Sequence, residues 1–394
     1  MTNDIYSDSV IRKAVHWMTR SGIQNPGPNP RHKGGVAAWY QLFERIYPFL
    51  YSEITGYALT TLIFLWRLER RRKYLDHASL AVDWLLHNAL SPEGGVKTRL
   101  YLVKHYTSPN YSFERGRLYA FDSAMVAYGL LQYFKATRDE RVLRAVEKIM
   151  DFLARRMRRP DGRFYAYFDV EAKARGEDFE KWSNQGGPYH AKIAILFIDY
   201  YRLTGISAYR DYARVKLDGV CRRQQKDGRF ITNRKDKSTH LHAHAYAVEG
   251  LLYGAHFLGE RRYWRAVWKA FLWMQRGVSV DGSVSCNFVQ DRFSYHERSD
   301  IVAQVLRIGS ILHTFGRKEM RPFLPVLESI KRHLLIFQYN DGSLMTGGFV
   351  YGAATDGSIR RHLNAWSTMF AIQALWMHDE FVLRKKPLSL DCFV

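Results

Sequence analysis

The amino-acid sequence predicts an all-α fold, a closed ring of six helical hairpins, and three observations carry that prediction. A glycine turn recurs six times, two kinds of helix alternate between the turns, and the chain starts with one kind and ends with the other. The turns are Gly34-Gly35-Val36, Gly94-Gly95-Val96, Asp161-Gly162-Arg163-Phe164, Asp227-Gly228-Arg229-Phe230, Asp281-Gly282-Ser283-Val284 and Asp341-Gly342-Ser343-Leu344, at intervals of 54 to 67 residues. Length alone would point to two or three domains, but a near-equal period across the whole chain is the mark of one repeat architecture. The expected unit is one domain over residues 1–394, with 383–394 as a short flexible tail.

Taken in order, each turn follows a helix with apolar residues at i, i+3, i+4 spacing and basic residues between, over 7–20, 73–89, 141–157, 208–224, 262–276 and 321–338. These read as outer, amphipathic helices. After each turn comes an irregular segment and then a helix of another kind, over 53–68, 119–136, 189–203, 241–258, 297–315 and 363–377. This second set is apolar nearly all round, as expected of helices buried on both sides. The first outer helix has no inner partner before it and the last inner helix has no outer partner after it. Pairing the two closes the ring and removes the need for polar end caps.

Loop lengths orient the function. Inner-to-outer connections are short, at 70–72, 137–140, 204–207 and 259–261, whereas outer-to-inner connections run to roughly fifteen to thirty residues, well above the usual loop length. Six long loops on one rim describe a cup, and loops on a rigid scaffold are where binding and chemistry reside. The residues opening the inner helices then face the cup: Tyr51, Glu53 and Tyr57; Arg117, Tyr119 and Asp122; Asn184, Gln185, Tyr189, His190 and Lys192; His240, His242 and His244; His296, Glu297, Arg298 and Asp300; Arg361, His362, Asn364 and Trp366. Serines 52, 183, 238 and 299 and the acidic residues suit helix N-termini. His, Lys and Arg at positive helix ends do not, and a ligand with anionic groups, or catalytic histidines, would account for them.

Composition bounds the partners. The chain has 59 Lys and Arg against 38 Asp and Glu, a formal charge of +21, and 15% aromatic residues. Such basicity favours an acidic partner, either nucleic acid, an anionic surface or an acidic glycan, unless it is only a solvated outer face. Nucleic acid is disfavoured because no groove-reading or RNA-binding module is present and the cations are spread around the ring. Three cysteines, Cys221, Cys286 and Cys392, are too few and too scattered for a disulfide framework or a zinc site. No secretory leader is seen, and the most apolar stretch, 58–65, is too short to span a bilayer, so a reducing, cytoplasmic location is the default. No transmembrane segment and no cofactor are expected; 184–188 lacks the features of a phosphate-binding loop.

Two schemes fit the cup. A carboxylate pair drawn from Glu53, Asp122, Glu297 and Asp300 could cleave a glycosidic bond. Alternatively Tyr and His could abstract a proton α to a carboxylate, with Arg117, Lys192 or Arg298 neutralising the intermediate. In His240-Leu241-His242-Ala243-His244 only the first and last share a helix face, so no metal site is expected there. The candidate catalytic residues are Glu53, Tyr57, Asp122, His190, His242 and Asp300. The candidate substrate-binding residues are Trp39, Tyr40, Arg117, Tyr119, Lys192, His240, His244, Glu297, Arg298, Asn364 and Trp366.

Six hairpins with Asp-Gly or Gly-Gly turns resemble the (α/α)6 toroids. Residues 118–130 (LYAFDSAMVAYGL) and 244–252 (HAYAVEGLL) are similar to inner helices of the carbohydrate-active toroids: sugar 2-epimerases, unsaturated glucuronyl hydrolases, polysaccharide lyases and uronyl C5-epimerases. Residues 224–230 (QQKDGRF) and 337–343 (FQYNDGS) resemble the turn repeats of terpenoid cyclases and prenyltransferase β subunits, although no Asp-x-Asp-Asp motif or zinc set accompanies them. The stretches 34–40 and 51–57 also look like toroid proteins that accompany surface-polysaccharide genes. The resemblance implies an enzyme acting on an acidic, uronic-acid-containing saccharide or surface polysaccharide. Epimerisation or elimination by proton abstraction stands first and hydrolysis by a carboxylate pair second. A non-catalytic scaffold with a basic sleeve is the rival, and terpenoid-type chemistry comes third.

Overall fold

A computed structural model describes residues 7–25, 27–103, 116–353 and 359–394. Six inner helices form the wall of a barrel: α2 (Ser52–Glu69), α4 (Ala120–Thr137), α6 (Ile193–Thr204), α8 (Leu241–Leu258), α10 (Ser299–Phe315) and α13 (Ala365–Met377). Each packs on the next, and α13 packs on α2, so the wall closes. The outer sleeve is α1 (Asp8–Arg20), α3 (Arg72–Trp84), α5 (Glu140–Asp151), α7 (Ser207–Cys221), α9 (Arg261–Gln275) and α12 (Leu324–Ile336), with one further turn, α11 (Arg317–Met320), before α12. α1 packs on α13, the pairing that closure requires. Across that seam the Gln338 amide donates to the Val10 carbonyl and Asp379 accepts from the Ser7 amide.

The short connections have a local cause. α2, α4, α6 and α8 each end on a left-handed residue, Arg70, Arg138, Gly205 and Gly259, which turns the chain straight into the next outer helix. The repeated glycine turn has a packing cause. At Gly228 (φ +99°) an added Cβ would lie 2.2 Å from the Lys269 carbonyl oxygen, and at Gly282 (φ +90°) 2.2 Å from that of Ser329, so each turn sits against the next outer helix. This corrects the register of the sixth copy. Gly342 touches nothing there, and Gly347 (φ +104°) makes the equivalent approach, 2.1 Å from the Lys13 carbonyl on α1.

The irregular segments after the turns contain short strands. β2 (Phe49–Tyr51) pairs with β3 (Arg99–Tyr101); β4 (Arg117–Tyr119), β5 (Tyr167–Asp169) and β6 (Ala174–Gly176) form a second ladder. β7 (Thr239–His240), β8 (Asn287–Val289) and β9 (Arg292–Ser294) form a third, and β1 (Trp39–Gln41) joins β11 (Ile359–Asn364) and β10 (Phe349–Ala353) across the seam. Strands β2, β4, β7 and β11 run directly into inner helices, so their last residues and the first helical turn are held at the mouth by ladder hydrogen bonds. Two of the serines expected as caps, Ser52 and Ser299, bond to these segments instead. Ser52 Oγ donates to the Lys97 carbonyl and Ser299 Oγ to that of Val350.

The expected flexible tail is also corrected. Leu390, Cys392, Phe393 and Val394 are buried in the barrel. Gln373 donates to the Cys392 carbonyl, and the Phe393 and Val394 amides donate to Tyr128 Oη and Gln373 Oε1.

α2 and α4 come closest where two glycines face each other: a Cβ on Gly129 would fall 2.5 Å from the Gly56 carbonyl oxygen. Backbone cannot yield as a side chain can, so Gly129→Ala is expected to cost roughly 1 to 3 kcal/mol through overpacking. A melting temperature equal to that of the unsubstituted protein would show that the two helices are not in this contact.

Candidate active site

The rim loops enclose a cavity of about 370 Å³ at the mouth of the barrel. Of the residues nominated from sequence, Glu53, Asp122, Tyr119, His240, His242, Arg298 and Trp366 line it together. Tyr57 and Asp300 lie one layer below. Tyr57 Oη donates to Tyr246 Oη at 3.0 Å, while Asp300 accepts from Trp366 Nε1 at 2.9 Å and from Arg298.

The other nominated residues are elsewhere, each for a packing reason. His190 is fully buried behind Phe121 and Tyr189. His244 turns to the outer helices, against Trp273, and accepts the Phe230 amide on Nδ1. Lys192 is sealed in the barrel, its ammonium 2.9 Å from Glu249 and above the rings of Tyr57 and Tyr246. Trp39 is buried with its ring stacked on His362, which is itself sandwiched against Tyr351. Tyr40 packs on Tyr47. Glu297 pairs with His333 at 3.0 Å, and Asn364 caps α13 by accepting the Ser367 amide.

Arg117, Lys192 and Arg298, expected to hold an anionic group of the substrate, are each engaged in an ion pair, and of the three only Arg298 lines the cavity among the described residues. Arg117 reaches Asp178 at 3.2 Å and lies over the Tyr167 ring; Lys192 is held by Glu249; Arg298 grips Asp300 through Nε at 3.0 Å and Nη2 at 2.5 Å. Among the described lining residues acids outnumber bases, with Glu53, Asp122, Glu180 and Asp236 against Lys181 and Arg298.

One wall carries the carboxyl pair. Glu53 and Asp122 sit in the first turns of α2 and α4, so the packing of those helices brings them to one side of the cup. Burial pushes Glu53 up to about 7, against a hydrogen bond from Tyr51 and the charges of Lys192 and Arg99. Burial, then the charge of Glu53, pushes Asp122 well above the usual carboxylate range, against the charge of Arg99. Like charges in a dry wall cannot both ionise, so the pair keeps one proton across neutrality. The Tyr51 hydroxyl and the charges of Lys192 and Arg99 favour the anion at Glu53, and that charge raises Asp122 further, so the proton is assigned to Asp122.

The opposite wall carries His242. Its Nδ1 lies 2.8 Å from Gln304 Oε1 and 3.3 Å from Asp300 Oδ2. The Gln304 amide nitrogen donates to Glu249 at 3.4 Å, which orients the amide with its oxygen toward the imidazole. Nδ1 consequently carries the proton and Nε2 keeps a lone pair. Burial lowers His242 to about 4, so the ring is neutral at ordinary pH. Asp300, although burial works the other way, is held at about 2 by Arg298, with His242 and Trp366 adding to the effect. Arg298 also donates through Nη1 to His240 Nε2 at 2.9 Å, so the three side chains form one rigid array.

Sequence reasoning missed the aromatic rim. Trp182 lies on the short helix before α6, its ring 5.5 Å from His240 and 6.0 Å from His242. Tyr351 on β10 stands 5.8 Å from Trp366. It also missed Arg99 on β3, stacked 4.2 Å over Phe49 and electrostatically within reach of both carboxyls. All three come from segments without periodicity, and a side chain in such a segment carried no signal of direction.

No protein-family model matches the chain, and no curated protein matches it in sequence. Solved structures match its fold over almost the whole length. The cellobiose 2-epimerase of Bacillus thermoamylovorans B4167 superimposes with a TM-score of 0.76 at 11% identity, covering 94% of this chain and 99% of that one. A D-mannose isomerase gives 0.74 at 10% identity, over 98% and 100% of the two chains. The unsaturated glucuronyl hydrolase of Bacillus sp. GL1, responsible for glycosaminoglycan degradation, gives 0.69 at 15% identity, over 93% and 95%. The fold is thus that of the (α/α)6 toroids.

Proposed function

We propose that the chain is a carbohydrate-active enzyme that cleaves a glycosidic bond in the cup, with Asp122 as the acid and Glu53 as the base. The observation that carries this reading is the Glu53–Asp122 pair itself. Two buried carboxyls in the cup, one held protonated and one ionised near neutrality, divide between them the acid and base roles that glycosidic cleavage uses. Asp122 gives its proton to the departing oxygen, and Glu53 takes the proton of the attacking water. Trp182, Tyr351 and Trp366 line the cavity, and an aromatic lining suits a sugar pocket. That the matched toroid structures include sugar epimerases, a sugar isomerase and a glucuronyl hydrolase adds support from fold alone.

A second reading, abstraction of a carbon-bound proton, is favoured by the neutral His242 with its basic Nε2. Proton NMR in D2O separates the two. The protein is incubated with neutral disaccharides and with saturated and unsaturated uronic-acid oligosaccharides. New reducing ends without deuterium at carbon are expected. Deuterium at a sugar carbon with no bond broken would sink the hydrolytic reading and promote His242 to the reacting base.

A further inference from the structure

The strongly basic character of the chain is not used by the cup, whose described lining is acidic on balance, and the structure offers another place for it. Behind hairpin β5–β6 lies a surface groove of about 540 Å³, lined by Arg155, Arg156, Lys173 and Arg175 with Glu93, over a floor that includes Phe168. The four cations are exposed, whereas Phe168 is buried. Arg156 lies 5.7 Å over the Phe168 ring. Arg155 also reaches Asp151 at 2.6 Å, so the groove keeps an excess of positive charge after its own carboxylates are counted.

The register of the hairpin connects this groove to the cup. Phe168 pairs with Arg175 across β5 and β6, which puts both side chains on the groove face. Tyr167 therefore points the other way. It packs 5.8 Å from Tyr119, which lines the cup, and under the Arg117 guanidinium at 3.8 Å. Its partner Gly176 is required there, because a Cβ would fall 2.5 Å from the Tyr167 ring. The β5–β6 hairpin thus stands between the two sites, with Phe168 and Arg175 on the groove side and Tyr167 on the side of the cup.

We propose that this groove is a second binding site, for the anionic groups of an acidic polysaccharide whose reacting unit occupies the cup. The proposal rests on reading the cup as a saccharide site. Clustered cations without an accessible ring face suit carboxylate-bearing sugars, since the guanidinium and ammonium groups meet the acid. A nucleic acid would need ring faces for its bases, and the one aromatic ring of the floor is buried beneath a guanidinium.

The test is equilibrium binding of the intact protein to polygalacturonate, with pullulan as neutral chain and a mixed-sequence single-stranded oligonucleotide as alternative polyanion. The Arg156→Gln/Arg175→Gln double variant is compared with Arg265→Gln/Lys269→Gln, which removes the same charge from the exposed face of α9. The groove variant is expected to bind polygalacturonate about tenfold or more weakly and with a shallower salt dependence, at unchanged melting temperature, while the control variant binds as the parent does. Equal losses in both variants would reduce the effect to net charge and overturn the proposal. So would oligonucleotide binding as tight as that of polygalacturonate and equally sensitive to the groove variant. Because binding is read directly, the result stands apart from whether any saccharide is turned over; short neutral substrates should be processed by the groove variant at the parental rate.

Discussion

Glu53→Gln and Asp122→Asn are each expected to lower kcat/KM on the saccharide substrate by about 10²- to 10⁴-fold, the range for removal of a general acid or base. Both changes keep shape, so the melting temperature should hold or rise, since each removes an ionisable group from a dry wall. The two losses should differ in character. The carboxamide that replaces the acid in D122N cannot give a proton, so an activated leaving group such as a nitrophenyl glycoside should restore much of the rate to D122N and little to E53Q. The pH profile gives the sign independently. Glu53 acts as a carboxylate and titrates at about 7, so activity should fall as pH drops below about 7. Asp122 acts protonated and is held well above the usual range, so activity should be lost again only on the alkaline side. A single-variant loss below tenfold, or a profile flat between about pH 5 and 8, would show that the pair does not carry the chemistry.

The ring was legible in the sequence because its determinants are periodic. Apolar spacing separates α1, α3, α5, α7, α9 and α12 from the inner set, and the parity of the chain ends gives the α1–α13 closure. The sixth turn was misplaced because Asp341-Gly342 imitates the repeat in composition, whereas the constraint is approach to the neighbouring helix, which Gly347 satisfies. The cup was legible only in outline. Position along an inner helix told which residues lie near the mouth, and for Glu53, Asp122 and His242 that was enough. It could not tell which way a side chain turns at the strand-to-helix junction: His240, His242 and His244 lie within five residues, yet only the first two reach the cavity. Nor could it tell which cations are spent on ion pairs, because Glu249 and Asp178, the partners of Lys192 and Arg117, come from distant parts of the chain. Residues 104–115 and 354–358 lie outside the described residues, and no nominated site residue falls on them.

His242→Asn carries the second large expectation, a loss of about 10²-fold or more in kcat/KM on the same substrate. The contacts behind it run from the barrel upward. Glu249 is clamped between Lys192 and Arg307, and it takes the amide N–H of Gln304. The amide oxygen so presented holds Nδ1–H of His242, and the anionic Asp300 at 3.3 Å reinforces the same tautomer. What reaches the cup is an unprotonated Nε2 on a ring that stays neutral above about pH 4. Such a nitrogen accepts a hydrogen bond from a sugar hydroxyl and cannot donate one. The shorter amide side chain of H242N has a different reach and no basic nitrogen, so it fails to replace the imidazole. Gln304→Met keeps the bulk of the glutamine and removes only the acceptor. It should cost less, about tenfold, because Asp300 remains as a partner for Nδ1–H. The readout that a merely structural role would not move is the tautomer itself. Nitrogen-15 NMR of the imidazole should show Nδ1 protonated and Nε2 bare near neutral pH in the parent, and a mixture of the two forms in Q304M. A parent spectrum with the proton on Nε2 would reverse the role, making His242 a donor to the sugar, and would remove the second reading of the cup along with it.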